Sequence, residues 1–327
     1  MTGPGKTKHR TKNQHFVPRL HLKHFCGDQP KNMIWTYDAE KGATRPSRIE
    51  ETGAQTNFYS IKREDGTYLD TLEDWLQSVE NAAADPYEAL LCGEIPEGQS
   101  KADFAIFVAS LYARSPALIR AYAEGYAQAL QMEMDIRWGT RDRFDRFIDK
   151  FETDTGQVVK DRDHLFDFWH DKDRFWMEIS QKRGLSIMGI SDKIADLLFG
   201  RNWFLIDTDA DFFITCDNPV FRYVDPKLYH PVYGDGGFRN PASEVTLPLS
   251  PRRLLMITDH DLPNRHVTIS AEGAWNLNGA RAYQADRFLY AHTKDDRISA
   301  LAAKHKDDRP RFEIGGSNGF SEVRLTR

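Results

Sequence analysis

LDTLEDWLQSVENAA, residues 69–83, places Leu69, Leu72, Leu76, Val79 and Ala83 on one face of a helix, at the three- and four-residue steps that a 3.6-residue period requires. A second stripe, Phe104, Phe107, Val108, Leu111 and Tyr112, repeats the pattern, and helical spacing runs to about Leu198. Within it, segment 139–185 mixes charge with aromatics (Phe144, Phe147, Phe151, Phe166, Phe168, Trp169, Phe175, Trp176), which predicts two amphipathic helices broken near Gly156, rings inward.

Either side of this block the pattern changes to short β-type runs. Residues 33–37 and 57–61 precede it; 203–206, 212–216, 254–258, 267–269 and 288–290 follow, with further helices expected near 278–286 and 295–306. Strands on both flanks predict an α+β fold, one sheet built from N- and C-terminal strands packed against a central helical layer at about 69–199. That makes residues 13–327 a single discontinuous domain. Residues 1–12 have the composition of a disordered basic arm, and the Gly- and Tyr-rich stretch 231–241 that of a mobile loop bordering a site.

The 327 residues carry 44 Lys and Arg against 49 Asp and Glu, a net charge of −5, so the whole-molecule field does not attract nucleic acid. Basic surface has to be local: the arm, with Arg19, Lys23, Arg45 and Arg48. Three scattered cysteines, Cys26, Cys92 and Cys216, form no C-x-x-C pair, which argues against a disulfide framework or zinc knuckle and for a reducing cytoplasm. No run approaches the ~20 apolar residues of a membrane span, nor is there a signal-peptide core, so no membrane partner is expected.

The densest functional vocabulary is NQHFVPRLHLKHF, residues 13–25. Pro18 suits the first turn of a short helix, which leaves Asn13, Gln14 and His15 extended before it. His15, His21 and His24 offer three nitrogens to a metal, but Leu20, Leu22 and Phe25 around them favour a packed helix instead. Asp217-Asn218-Pro219 follows an apolar run, so an acid and an amide emerge at a strand's end; an Asx turn is the plainer account. Glu73 and Glu80, seven apart on a helix, share a face bordering the apolar stripe and either line a cleft or meet solvent. Arg114 precedes Ser115-Pro116, where a helix must end, and can clamp an anion bidentately or pair with a helix acid.

Other matches fail on context. Gly3-Pro4-Gly5-Lys6-Thr7 lacks the strand and upstream glycine of a phosphate loop, and Asp207, Asp209 and Asp211 lack the glycine and glutamate of a calcium loop.

The run 13–25, with Glu73, Glu80, Tyr112-Ala113-Arg114-Ser115-Pro116, the 213–219 segment, Pro248-Leu249-Ser250-Pro251 and the region of Asn278, resembles the family catalogued as domain of unknown function 4238. That resemblance covers nearly the whole chain and implies a shared fold and polar site without a reaction. The family pattern carries Tyr where this chain has His21, and a Ser-type residue at Cys216.

The expectation is that His15, Glu80, Arg114, Asp217 and Asn218 converge where sheet meets helices. Glu80 and Asp217 would hold a divalent ion such as magnesium or manganese, His15 would be general base, and Arg114 would stabilise phosphate charge. Asn13, Gln14, Arg19 and Asn218 would bind substrate. This describes a metal-dependent phosphodiester hydrolase, a nuclease acting on nucleic acid, with bacterial defence as a setting. Its rival is a non-catalytic binding or sensor module in which the same residues form a buried network. Exposure separates the two: His15, Glu80 and Asp217 should line an open pocket in one and be enclosed in the other.

Overall fold

The computed structural model describes residues 12–27, 32–63, 65–171, 179–230, 234–307, 311–317 and 320–326. The basic arm through residue 11, Phe175, Trp176 and residues 231–233 lie outside the described residues. The chain opens with β1 (Asn13–His15), α1 (Arg19–Leu22), β2 (Met33–Asp38), β3 (Ala43–Arg48), β4 (Ala54–Thr56), β5 (Ile61–Lys62) and β6 (Tyr68–Leu69). A helical run follows: α2 (Thr71–Cys92), α3 (Gly98–Ala113), α4 (Pro116–Trp138), α5 (Arg141–Thr155), α6 (Arg162–His170), α7 (Gln181–Gly184) and α8 (Ser191–Phe199). Then come β7 (Asn202–Asp207), β8 (Thr215–Cys216), β9 (Phe221–Tyr223), β10 (Glu244–Ser250), β11 (Arg253–Thr258), β12 (His266–Thr268), α9 (Ala271–Gln284), β13 (Phe288–Ala291), α10 (Asp296–Lys304), β14 (Arg311–Ser317) and β15 (Phe320–Thr326).

The fold is α+β, and N- and C-terminal strands do share a sheet, in the order β3-β2-β13-β8. A second sheet, β12-β7-β11-β10-β9, is built from C-terminal strands alone and is additional to the one expected. Its buried face, with Trp203, Leu205, Val245, Leu247 and Leu255, packs on Ala83, Tyr87, Phe104, Phe107 and Leu111 of α2 and α3 in one apolar cluster. The two helical stripes therefore cover the second sheet as amphipathic faces must.

Local differences have local causes. Leu69 belongs to β6, not to the first helix, which begins after Asp70. Residues 57–60 turn instead of forming a strand, since Asn57 has φ 54°. The 212–216 run is strand only at Thr215–Cys216. The break near Gly156 is as expected, with that glycine at φ 68° ending α5, but Phe147 and Phe168 are exposed while Phe144 is buried. The segment expected to be a mobile loop is pinned from residue 234 on: Phe238 enters the core, and Arg201 donates to the carbonyls of Phe238, Asn240 and Ser243. Among the described residues no single helix is long and apolar enough to cross a membrane.

Two corners matter for the site. At Arg114-Ser115-Pro116, Arg114 caps α3, Ser115 Oγ accepts from Leu118 N of α4, and Pro116 takes the first helical position, where no N–H is needed. Arg114 is thereby fixed at the bend. At the other corner Gly53 O accepts from Phe16 N (2.8 Å) and Val17 N (3.0 Å), and a Cβ on Gly53 would stand 2.8 Å from Val17 Cβ. With φ 62° as well, glycine is required there.

Candidate functional site

β1 pairs antiparallel with β4, His15 opposite Ala54, and delivers His15 to the surface side of a shared apolar cluster. That cluster contains Phe16 and Val17 beside His15, Tyr59, Leu76 between Glu73 and Glu80, and Ala113 beside Arg114. Its polar edge is the candidate site.

Arg114 is fully buried, and its Nη1 donates to Glu80 Oε1 at 2.8 Å; Glu80 keeps 21% side-chain exposure. The other edge of the guanidinium, Nε with Nη2, is buried without a partner among the described residues. Those two N–H groups are parallel and form the fork that grips a carboxylate or phosphate. Leaving such donors unpaired costs about 1–3 kcal/mol each, which marks the edge as a place for an anion or water.

His15 Nε2 lies 3.2 Å from Ile49 O, a pure acceptor, so Nε2 carries the proton and Nδ1 is the basic nitrogen. Burial lowers its pKa below 6.5, with Arg19 and Arg114 adding to this and Glu80 opposing it. The ring is neutral at neutral pH. Glu73 is pushed up to about 7, first by burial, then by the Glu80 charge, with Arg114 opposing. Glu73 and Glu80 thus act on each other across one helix face, and burial with the Glu80 charge leaves Glu73 about half protonated at pH 7. Tyr59, its phenol raised by burial, donates to His15 O at 3.3 Å. Arg19 is exposed with its charge felt at His15.

The other expected members are placed elsewhere. Asp217 is buried and its carboxylate accepts from three amides at the start of β13: Asp286 N (2.8 Å), Arg287 N (2.7 Å) and Phe288 N (2.8 Å). Burial and the Asp286 charge raise it to about 7 against those amides. It is neither an Asx turn, since the amides lie 69 or more residues away, nor an open ligand. Asn218 shares that loop and bonds Gln284 O of α9 at 3.4 Å. Asn13 Nδ2 donates to Glu50 O (2.9 Å), while buried Gln14 donates to Ser60 Oγ (2.8 Å) and accepts from Tyr59 N (2.7 Å). These expected substrate binders are engaged in holding loops. Nor do Glu80 and Asp217 meet as a metal pair: Glu80 holds Arg114, Asp217 holds β13, and no three His, Cys, Asp or Glu among the described residues gather as ligands.

The opening segment does fold back on the late strand β8, through His21. Tyr87 OH donates to Leu249 O (2.9 Å), so it accepts from His21 Nδ1 (2.9 Å), leaving Nε2 to accept from Thr215 Oγ1 (2.8 Å). Both ring nitrogens are spent, which removes a three-histidine metal site. Complete burial lowers His21 to about 3, with His24 adding to it. A base depressed in the folded state adds stability present above its unfolded pKa of 6.5 and lost as pH falls toward 3. Wild-type unfolding free energy should accordingly drop between those values, and His21→Phe should flatten that slope in pH-dependent urea titrations; an unchanged slope would remove His21 from the linkage.

Glu73 and Tyr59 complete the site without having been assigned to it. The seven-residue spacing to Glu80 was the signal for Glu73; nothing local marked Tyr59. No curated protein and no solved structure matches the chain. The profile described as protein of unknown function (DUF4238) matches residues 13–295. With nearly its whole length aligned, and with the motifs at 13–25, 112–116 and 213–219 all inside the match, the chain belongs to the family of proteins of unknown function DUF4238.

Proposed function

We propose that the protein cleaves phosphodiesters by acid–base catalysis, with the anion gripped by Arg114. The observation that carries this is the unpartnered Nε–Nη2 edge of a fully buried arginine, set among a neutral imidazole and a carboxyl of pKa about 7. His15 Nδ1 serves as general base, Glu73 as general acid, and Glu80 fixes Arg114 while helping to keep Glu73 partly protonated. Exposed Arg19, Arg45 and Arg48 supply local positive surface for a nucleic acid, whereas Lys23 is paired with Glu88 at 2.9 Å. We place the activity in the cytoplasm, in keeping with three free cysteines.

The pH dependence follows from the two shifts. The base must be neutral, so kcat/KM rises through a value below 6.5; the acid must be protonated, so it falls through about 7. Turnover of a dinucleotide phosphodiester, whose alkoxide leaving group needs a proton, should give that bell, His15→Ala should remove its acid limb and Glu73→Gln its alkaline limb. A profile indifferent to both substitutions would end the acid–base reading.

A second reading, an anion-binding module without turnover, is favoured by Asn13, Gln14 and Asp217, all committed to backbone or fold contacts. It predicts anion binding by wild type and no diester cleavage at any pH.

A further inference from the structure

We propose that the cavity between β4 and the β5–β6 hairpin binds an extended acidic peptide, which pairs with the strand edges there and seats an apolar side chain. This is independent of the phosphodiester reading. Asn57 N donates to Lys12 O and Phe16 N to Gly53 O, so the ladder between β1 and β4 bonds at Gln14 and Gln55. The N–H and C=O of Thr56 therefore point away from β1. Arg63 N donates to Thr67 O, which in the same way turns the N–H and C=O of Lys62 away from β6. Among the described residues no further strand pairs with β4 or β5, and Thr56 and Lys62 both line the cavity.

The cavity is half open, about 580 Å³ in volume, and built on a braced turn. Asn57 takes φ 54°, and Lys182 Nζ donates to the carbonyls of Asn57 (2.5 Å), Phe58 (3.0 Å) and Ser60 (2.7 Å). Buried Ile119 and Leu185 with half-buried Phe58 give it apolar depth, while exposed Ile61 and Tyr68 border it. That leaves room for an apolar side chain with its flanking backbone.

Charge selects the peptide. The described lining holds two lysines, Lys62 and Lys182, and no carboxylate, in a chain of net charge −5. Lys182 spends its N–H groups on the three carbonyls of the turn, so exposed Lys62 is the cation of the described lining that meets a ligand. A strand laid along Thr56 and Lys62 gains main-chain hydrogen bonds, and its alternate side chains reach the cavity; strand addition obtains affinity from the first and specificity from the second. An acid flanking the seated residue then faces Lys62. The chain's own residues 1–11 start from Lys12, bonded to Asn57 at this rim, but they carry Lys6, Lys8, His9 and Arg10 and no acid, so they do not match.

The test is fluorescence polarisation with labelled peptides of the form Asp-Val-Xaa-Val-Asp, Xaa being Leu, Phe or Tyr. Each is set beside a copy N-methylated throughout and a copy with Lys for Asp. Saturable binding of at least one acidic peptide, weakened at least tenfold by N-methylation and absent for its lysine copy, is expected. Thr56→Pro removes the outward N–H and leaves the β1–β4 ladder intact, so it should weaken binding about tenfold, the usual worth of one net hydrogen bond, at an unchanged denaturant midpoint. Lys62→Glu, on an exposed side chain, should reverse the charge preference. Equal affinity for the N-methylated copies, indifference to Lys62→Glu, or no binding of any acidic peptide overturns the proposal; saturable binding of decanoate in their place would assign the cavity to a small amphiphilic anion instead.

Discussion

Replacing Arg114 by Gln should lower kcat/KM for phosphodiester cleavage by about 10²–10³-fold, the usual loss when a preorganised donor to a developing oxyanion is removed. The side chain is fully buried, so the change also strands Glu80 beside an uncharged partner. Arg114→Gln with Glu80→Gln removes both charges, so that neither is left buried without its partner, which separates loss of function from loss of fold. The double variant should unfold at close to the wild-type denaturant midpoint yet stay inactive. Arg114→Lys should recover little, because a point ammonium cannot reproduce two parallel donors. Wild-type rates in the double variant would remove Arg114 from the chemistry.

The second large effect concerns stability. Asp217→Ala leaves three buried amides of residues 286–288 without an acceptor, and at about 1–3 kcal/mol for each unsatisfied group the loss should reach roughly 3–5 kcal/mol. Those amides begin β13, the strand that joins β8 to β2, so the whole four-stranded sheet feels the change. Folded molecules of the variant should keep their specific activity. Chemical denaturation with activity normalised to the folded fraction checks this; unaltered stability with abolished turnover would return Asp217 to the reaction.

Much of the architecture is legible because periodicity reports which face is buried. The stripes from Leu72 to Ala83 and Phe104 to Tyr112 needed only an apolar surface to cover, and the sheet of β7, β10 and β11 supplies it. That strands from both flanks pair was also legible, since β2 lies beside β13 across some 250 residues of sequence. What sequence spacing does not carry is how many sheets those strands make, which depends on long-range registers. It also fails where a polar residue's partner is a distant backbone group. Asp217 looked available because the amides it serves are 69 to 71 residues away. That His21 packs inward was legible from Leu20, Leu22 and Phe25 around it, but its two partners, Tyr87 and Thr215, come from remote elements and were not. Arg114, in contrast, was readable: the following Ser-Pro fixes the helix end, and Glu80 waits one helix earlier.

The central claim is that the free edge of Arg114 is an anion site. Calorimetric titration with inorganic phosphate near pH 6, where the monoanion is abundant, tests it directly on wild type and on the Arg114→Gln, Glu80→Gln double variant. Saturable binding to wild type, weakened at least tenfold in the double variant, is the expected result. Equal affinity in the two proteins, or no binding to wild type, would contradict the account.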